Sequence, residues 1–298
     1  MVRTSGQLRR GSTMMWVAVA ALLPIGACST SDPPPSQDTP PGLLTFPVDL
    51  ARMLPPSADV VGVAVAPEGK RYVLDRHSGL YEINASGATR VFATSDLATR
   101  YGLPADLELT DVAALGAERF AITAENDGYM LDLHNQTFAS YFCYLPPPPG
   151  VDGGTIVIPT VSEALRSQGI AVKERTESVA YSPENLQLYA QPHTIRVDTG
   201  QVMGSEVYVF SEGGGQPIQV RELVLPSVLA GGMVTVAGGS RLILGIRNEL
   251  AAVDPTSGPT VIRQLDASID ISGLALDTNG DLLVLDRAGR RLLATTLY

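Results

Sequence analysis

One short strand pattern occurs five times along this chain, and it constrains the fold more than any other feature of the sequence. The first copy, from Val60, has an alternating apolar stretch, a turn at 67–69, a second apolar stretch, a turn near 78–79 and a third stretch. Alternation with a period of two, interrupted by turns that contain Gly and Pro, indicates a meander of antiparallel strands. The later copies begin at Leu109, Thr176, Gly231 and Ile271.

Small or hydroxylated residues recur at one position of the first strand in every copy. They are Ala64, Ala113, Ala180, Thr235 and Ala275, at intervals of 49, 67, 55 and 40 residues. A single meander cannot bury both of its faces, so copies at such intervals predict blades packed around a common axis. Only 17% of the residues are charged, and 29 Gly and 22 Pro suit short strands joined by tight turns. The sequence therefore predicts an all-β fold, a β-propeller.

The number of blades depends on the long interval between the second and third copies. This interval contains four prolines at 146–149, an alternating stretch at 155–158 and a short helical candidate at Val161–Ser167. In the third copy, the third strand is predicted only at Val207–Phe210. A sixth blade would need two further alternating strands in the interval, so we favour five blades, with six as the alternative.

The two ends of the repeated region are expected to meet. The last copy ends at Tyr298 after three strands, while Leu43–Val48 precedes the first copy as an additional strand. Pairing this N-terminal strand with the last blade would close the ring and remove exposed sheet edges. We therefore predict a propeller domain over 43–298.

The first 28 residues have the pattern of an export signal. Three arginines precede an apolar run at 14–23, which is too short for a permanent membrane span, and small residues stand before Cys28. Ile-Gly-Ala-Cys at 25–28 resembles the lipobox of bacterial lipoproteins. The resemblance implies that signal peptidase II removes the signal peptide, 1–27, and that Cys28 carries the lipid, including palmitate. The alternative is an ordinary secretory signal with a cysteine nearby.

A tether is predicted between the lipid and the propeller. Residues 28–42 contain five prolines and almost no apolar residues, so they cannot form a packed core. In an extended state they would reach roughly 40 Å. Ser29, in place of aspartate after the cysteine, favours the outer membrane. The predicted location is therefore the periplasmic face of the outer membrane, or the cell surface, of a Gram-negative bacterium.

Charge and cysteine content narrow the possible partners. The formal net charge is −10, and loss of the three signal arginines from 21 Lys and Arg leaves 18 basic against 31 acidic residues. Such a chain is a poor ligand for nucleic acid, which is held by clustered Lys and Arg. Membrane contact is expected only through the anchor, and the protein is expected to be a monomer.

The second cysteine, Cys143, lies among aromatic residues and is predicted to be buried.

Motifs for catalysis are missing from the sequence. It has no nucleophile elbow, phosphate-binding loop, dinucleotide glycine pattern, paired-cysteine motif or zinc-protease motif. The histidines, His77, His134 and His193, are far apart and are interpreted as structural. We therefore favour a protein that is not an enzyme.

One segment has the opening spacing of a calcium loop. Asp277, Asn279 and Asp281 occupy positions 1, 3 and 5, but Leu282 and Ala288 stand where glycine and a bidentate glutamate are required. Asn279-Gly280 is instead typical of a turn between two apolar strands. We predict a hairpin here.

Polar residues recur after the second strand of several copies. They are Asp75-Arg76, Glu125-Asn126, Arg247-Asn248 and Asp286-Arg287. Matching positions place them on one face of the disc, where we expect them to cap turns and to pair between blades.

The candidate site lies where the first strands begin. Glu177, Thr110 and Ser272 occupy equivalent positions, and Asp111 follows Thr110. These two carboxylates and two hydroxyls are predicted to converge at the mouth of the axial channel, where they could hold a cation or a sugar-like ligand. The alternative is that they only hydrate the axis.

Three segments carry a family resemblance: 110–125, 176–190 and 271–293. They are similar to the SdiA-regulated family of exported bacterial β-propellers, whose blades begin with Ser-Gly or Glu-Gly before a Leu-Ala or Ile-Ala pair. Ser272-Gly273 matches this form, whereas Glu177-Ser178 and Thr110-Asp111 depart from it. NHL-repeat and gluconolactonase-like propellers are similar more loosely. The SdiA-regulated resemblance implies a propeller fold and export but lends no activity.

Two functions follow as hypotheses. The first is a binding propeller of the cell envelope that holds a protein or a small ligand at the channel mouth or at the 145–175 loop, without a cofactor. The second is a metal-dependent hydrolase of the lactonase type, with Glu177 and Asp111 as ligands of a metal such as Ca²⁺. Lactonases of this fold are expected to carry Asn and Asp at the starts of blades, and the absence of Asn at these positions favours the first hypothesis.

Overall fold

The structure is a computed structural model that describes residues 44–125, 127–143, 161–215, 218–223, 231–254 and 258–297. All of these lie in the second of the two units into which the chain divides, 1–39 and 40–298. The predicted signal peptide, Cys28, the tether and the stretches 146–149 and 155–158 fall outside the described residues. In the part that is described, no helix is long and apolar enough to cross a membrane.

The described strands form five antiparallel sheets of four strands each, which are the blades of a propeller. The chain enters through β1 (Val48–Asp49) and a 3-10 helix at Leu50–Arg52. Blade 1 consists of β2 to β5, at Val60–Val65, Arg71–Asp75, Gly79–Asn84 and Gly87–Ala93. Blade 2 consists of β6 to β9, at Leu109–Ala114, Arg119–Ala124, Asp127–Asp132 and Thr137–Cys143. The prediction of five blades is confirmed.

The remaining blades repeat this meander. Blade 3 consists of β10 to β13, at Val172–Ser182, Gln187–Arg196, Val202–Ser211 and Gln219–Leu223. Blade 4 consists of β14 to β17, at Met233–Val236, Arg241–Ile246, Glu249–Asp254 and Gly258–Gln264. Blade 5 consists of β18 to β20, at Ile271–Leu276, Leu282–Asp286 and Arg291–Thr295, together with β1. Among the described residues, helices α1 (Asp96–Tyr101) and α2 (Val161–Ser167) lie between strands, and the second was predicted.

The N-terminal strand closes the last blade, as predicted, but it lies later in the chain than expected. Val48 pairs with Leu292 and Asp49 with Arg291, whereas the sequence pattern placed the strand at Leu43–Val48. Pro47 has no N–H and cannot donate to a ladder, so pairing starts only after it.

The core consists of apolar clusters between neighbouring blades. Tyr72 and Leu74 of β3 pack toward blade 2, while Val73 between them packs toward blade 5. Three further clusters join blades 2 and 3, 3 and 4, and 4 and 5. Because both faces of each blade are covered, the strands are apolar at successive positions and do not simply alternate. This packing holds the inner strands at the axis.

Blade 3 is longer than the other blades. Its first three strands have 11, 10 and 10 residues, whereas the first three strands of the other blades have four to six. The added residues are 172–175, 193–196 and 202–205, and we call them the extension. β12 therefore starts five residues before the predicted Val207. Helix α2 packs against β10 and β12.

The segment with the spacing of a calcium loop forms the predicted hairpin. β18 ends at Leu276 and β19 begins at Leu282, so the loop has five residues. Gly280 adopts a φ of +87°, and the Asn279 Oδ1 accepts from the N–H of Asp281 at 3.0 Å. The Asp277 carboxylate binds Arg71 at 2.7 Å. The loop side chains are thus bonded to protein groups.

Candidate functional site

Four of the five described inner strands carry a bulge, which lies near the first residues in blades 1, 2 and 5 and in the middle of the longer β10 in blade 3. The ladder shifts register at Val60/Gly62, Leu109/Asp111, Thr176/Ser178 and Ile271/Gly273. The bulged residues of these four strands, which have no opposite residue on the neighbouring strand, are Val61, Thr110, Glu177 and Ser272, respectively. Thr110, Glu177 and Ser272 are therefore equivalent, as predicted. A bulge redirects its side chain, so each one reaches a different partner.

Asp111 joins blade 2 to blade 3. Its Oδ1 accepts from the N–H of Val112 at 2.8 Å, and its Oδ2 accepts from the N–H of Val179 at 2.9 Å. Burial raises the pKa of Asp111 well above its usual range, and the charge of Glu177 adds to this effect. Asp111 and Glu177 thus influence each other, but the Asp111 oxygens are occupied by backbone donors.

The hydroxyl groups of the predicted site also have internal partners. Thr110 donates to the hydroxyl of Thr123 at 2.9 Å. Ser272 of blade 5 donates to the carbonyl of Val60 of blade 1 at 2.9 Å. These contacts hold strands and blades together near the axis.

Glycine completes the contacts around the axis. A Cβ on Gly62 would lie 2.6 Å from the Asp111 Oδ1, and a Cβ on Gly232 would lie 2.7 Å from the backbone of Gly273. Gly232 also donates its N–H to the Ser178 hydroxyl at 3.0 Å. Each pair of neighbouring blades is thus in contact at the level of the bulges.

Charged side chains gather just outside this level, at the end of the axis where the inner strands begin. Asp59 and Glu108 directly precede inner strands, and Arg76 and Arg287 directly follow second strands, which end at the same face in an antiparallel meander. We call six residues the mouth cluster: Asp59, Arg76, Glu108, Arg175, Glu177 and Arg287.

Positive and negative charges alternate through the mouth cluster. The Arg287 Nε lies 3.7 Å from Asp59, which binds the Arg76 Nε at 2.8 Å. The Arg76 Nη1 and the Arg175 Nη2 lie 3.9 and 3.7 Å from Glu108. The Arg175 Nε binds the Glu177 Oε1 at 2.6 Å. The result is one chain of six charges contributed by four blades and the segments that lead into them.

Glu177 is the most buried of the three carboxylates in the mouth cluster. Its side chain is 11% exposed, against 35% for Asp59 and 45% for Glu108. Burial raises the pKa of Glu177, and the positive charges of Arg175, Arg76 and Arg287 oppose this rise. Three guanidinium groups from blades 1, 3 and 5 therefore act on one carboxylate.

Two of the recurring polar pairs, Asp75-Arg76 and Asp286-Arg287, have the predicted roles, whereas Asn126 lies outside the described residues. The Asp75 Oδ1 accepts from the N–H groups of His77 and Ser78, and the Asp286 Oδ1 accepts from the N–H of Asp270. The arginine that follows each of these aspartates enters the mouth cluster. Of the other pairs, the carbonyls of Glu125 and Arg247 accept from the inner strand of the next blade.

Sequence reasoning missed Asp59, Glu108 and Arg175. Each lies immediately before an inner strand or in its first residues, and this position was the signal that could have identified them. Their role depends on the convergence of blades that are distant in the chain.

In the described ranges, 44–125, 127–143, 161–215, 218–223, 231–254 and 258–297, no group of three or more His, Cys, Asp or Glu side chains is arranged to hold a metal ion. Glu177 and Asp111, the ligands predicted for the metal hypothesis, are bonded to Arg175 and to backbone N–H groups. Neither carboxylate therefore presents a free oxygen pair.

A concave region lies at the rim between blades 1 and 2. It has a volume of about 560 Å³ and includes Arg100 and Asp132. Asp132 is bonded to Asn135 and Arg100 to Gln136, so these charges have local partners on the surface. The mouth cluster, with its buried carboxylate, is the stronger candidate.

His193 is the buried histidine of the three. Its Nδ1 shares a hydrogen bond with the Ser205 hydroxyl, and burial, with a contribution from Arg175, lowers its pKa to about 4. The unfolded chain, with a pKa of about 6.5, binds the proton more tightly. His193 therefore contributes stability that is complete above pH 6.5 and is lost as the pH falls toward 4.

This linkage gives a testable pH dependence. Relative to His193→Gln, which cannot be charged, the wild type should lose about 3 kcal/mol of unfolding free energy between pH 7 and pH 4. Urea denaturation at both values measures the difference. His134→Gln is the control, because the His134 side chain is 80% exposed. Equal pH slopes for the wild type and His193→Gln would contradict the assignment of a buried neutral imidazole.

These features define a five-bladed β-propeller that carries a chain of alternating charges at one end of its axis. No protein-family model matches the chain, and no curated protein matches it either.

Solved structures with a similar fold include three bacterial proteins. The gluconolactonase of Xanthomonas campestris is 13% identical, with 81% of this chain and 73% of that chain covered and a TM-score of 0.49. The calcium-binding protein regucalcin of Agrobacterium tumefaciens is 13% identical, with 82% and 77% covered and a TM-score of 0.45. The extracellular domain of a hybrid two-component system from B. thetaiotaomicron is 12% identical, with 79% and 27% covered and a TM-score of 0.38. This chain thus spans about a quarter of that last protein, and the likenesses concern the fold alone.

Proposed function

We propose that this protein is an exported binding propeller that holds a small polar ligand at the mouth cluster and catalyses no reaction. One observation carries the proposal: three arginines and three carboxylates from four blades and their leading segments converge on one end of the axis, with Glu177 largely buried among them. Isolated surface ion pairs contribute little to stability. A chain of six such charges is more economically explained by recognition of a polar ligand.

The arrangement supports binding over catalysis. The carboxylate best placed to act as a base, Glu177, is held by Arg175 at 2.6 Å. Among the described residues, the buried histidine, His193, is paired with Ser205, but burial lowers the pKa of His193 to about 4, which makes it a weak base. Guanidinium groups and carboxylates can instead orient a ligand through charge-assisted hydrogen bonds.

A thermal-shift screen of the mature protein against carboxylic acids, amino acids, sugars and short peptides tests this function. At least one class should raise the melting temperature in proportion to ligand concentration. Arg287→Gln removes one end of the series of charges and should weaken the binding of that ligand at least tenfold, since a charged hydrogen bond contributes on the order of 1.5–3 kcal/mol.

Arg241→Gln provides the matched control. Arg241 is exposed and begins β15, at the opposite end of the disc. A ligand that stabilises Arg287→Gln and Arg241→Gln equally would bind elsewhere and would contradict the proposal. Stoichiometric calcium in the purified protein, or a melting temperature lowered by EDTA, would instead favour the metal-dependent lactonase hypothesis.

We also propose that a lipid on Cys28 holds the propeller at the outer membrane or the cell surface, as the lipobox at 25–28 and the resemblance to the SdiA-regulated family suggest. Cys28→Ala should abolish palmitate labelling and release the protein from the membrane fraction. Cys143→Ala should leave both unchanged. A Cys28→Ala protein that still carries palmitate and sediments with membranes would show that the anchor is assigned wrongly.

A further inference from the structure

Two polar side chains in blade 3 are completely buried without a full set of partners. Within the described residues, neither the amide nitrogen nor the amide oxygen of Gln191 has a hydrogen-bond partner, and the Nε2 of His193 has none. Both residues have no exposed surface. Buried polar groups in native proteins are nearly always hydrogen-bonded, so unpaired ones call for an explanation.

These side chains lie on one face of the sheet. Gln191 and His193 are two residues apart on β11 and so project to the same side. His193 is directly opposite Arg175 on β10 and Ser205 on β12. Arg175, His193 and Ser205 therefore form a row across the extension, with Gln191 next to it.

This face is turned toward blade 4 and joins the mouth cluster. Tyr189, which has the same orientation on β11 as Gln191, packs in the cluster between blades 3 and 4. Ser178, opposite Gln191, bonds to Gly232 of blade 4. Arg175 belongs both to this row and to the mouth cluster, so the unpaired groups continue the candidate site along blade 3.

The chemistry of the unpaired groups selects a class of ligand. The Gln191 amide offers one donor and one acceptor side by side, which match two adjacent hydroxyl groups. The Nε2 of His193 is a donor or an acceptor according to the tautomer, and a hydroxyl group can pair with either form. Gln191 and the neutral His193 carry no charge that would attract an ion. A polyhydroxylated neutral molecule satisfies all three atoms.

We propose that the ligand of the mouth is a carbohydrate or cyclic polyol, and that Gln191 and His193 bind a pair of its neighbouring hydroxyl groups. This inference rests on the proposed function, because it extends the same site into the extension of blade 3.

Isothermal titration calorimetry with D-glucose, D-mannose, D-galactose and myo-inositol tests the inference. At least one of these probes should bind the wild type. cis-1,2-Cyclohexanediol should compete with it, and cis-1,3-cyclohexanediol should not. Gln191→Met replaces the unpaired amide with an apolar side chain of similar shape. The melting temperature of the free Gln191→Met protein should be equal to or higher than that of the wild type. Its affinity for the probe should be at least tenfold lower.

Gln201→Met is the control, because Gln201 is exposed at the tip of the extension, and it should bind as the wild type does. If no polyhydroxylated probe binds and Gln191→Met lowers the melting temperature, ordered water alone pairs with the amide and the inference is wrong. If Arg287→Gln lowers the affinity for a probe and Gln191→Met does not, the inference is wrong and the proposed function stands. If Gln191→Met lowers the affinity for a probe and Arg287→Gln does not, the result supports the site in blade 3 and contradicts ligand binding at the mouth cluster.

Discussion

Replacing Gly232 with alanine is expected to lower the free energy of unfolding by about 4 kcal/mol. Gly232 has a φ of +111°, which residues with a Cβ rarely adopt, and an added Cβ would lie 2.7 Å from the backbone of Gly273 in blade 5. Backbone cannot move aside as a flexible side chain can. The strain and the overlap therefore add, and the inner strands of blades 4 and 5 must separate.

Gly87→Ala separates these two causes. Gly87 has a φ of +136°, but a Cβ there would meet nothing within 4 Å. This variant should show only the cost of the backbone conformation, about 1–3 kcal/mol. Urea denaturation of both variants, with unchanged m-values, measures the difference. If Gly87→Ala were as destabilised as Gly232→Ala, close contact between inner strands would not explain the glycine at position 232.

Asp111→Ala should have the second large effect, a loss of about 3 kcal/mol. The substitution removes both acceptors of the buried N–H groups of Val112 and Val179. Each unpaired backbone donor is costly, and the second also joins blade 2 to blade 3. Part of the loss is offset because a carboxylate that is unfavourably buried disappears.

Asp111→Asn should fall between the wild type and Asp111→Ala. Its single carbonyl oxygen can accept from one of the two N–H groups, while its amino group faces the other donor. Asp106→Ala is the control, since Asp106 is exposed, and it should change stability by less than about 0.5 kcal/mol. Equal stability of Asp111→Ala and Asp106→Ala would show that Asp111 does not hold the blades together, and would reopen its role as a ligand-binding group.

The bulged residues of the inner strands have two different roles, hydrogen bonding within the propeller and presentation of a charge at the mouth cluster. In blades 2 and 5 the bulged residue, Thr110 or Ser272, is hydrogen-bonded within the protein. In blade 3 it is Glu177, whose longer charged side chain pairs with Arg175. The same backbone irregularity thus provides a hydrogen bond within blade 2 and one between blades 5 and 1, and it presents a carboxylate in blade 3.

Several features could be predicted because they depend on neighbouring residues. Alternating apolar stretches separated by Gly and Pro turns predicted the blades, and the alignment of Thr110, Glu177 and Ser272 was confirmed by the register shifts. Closure by the N-terminal strand was predicted from the missing fourth strand of the last copy. The predicted position of this strand was wrong because Pro47 has no N–H to donate, so pairing begins only at Val48.

The partners of the polar groups could not be predicted in this way. Asp59 and Arg287 lie near opposite ends of the chain and meet only because the ring closes. The sequence pattern also did not distinguish Asp111, which is saturated by backbone donors, from Glu177, which faces arginines.

The sequence by itself predicted the strands, favoured five blades and aligned Thr110, Glu177 and Ser272, because apolar stretches and turn residues act over a few neighbours. Only the tertiary structure decided which polar groups hold blades together, which form the mouth cluster, and which remain unpaired in blade 3. Ion pairs and hydrogen bonds require atoms within a few ångströms of each other. For residues on different blades, closure of the ring sets those distances.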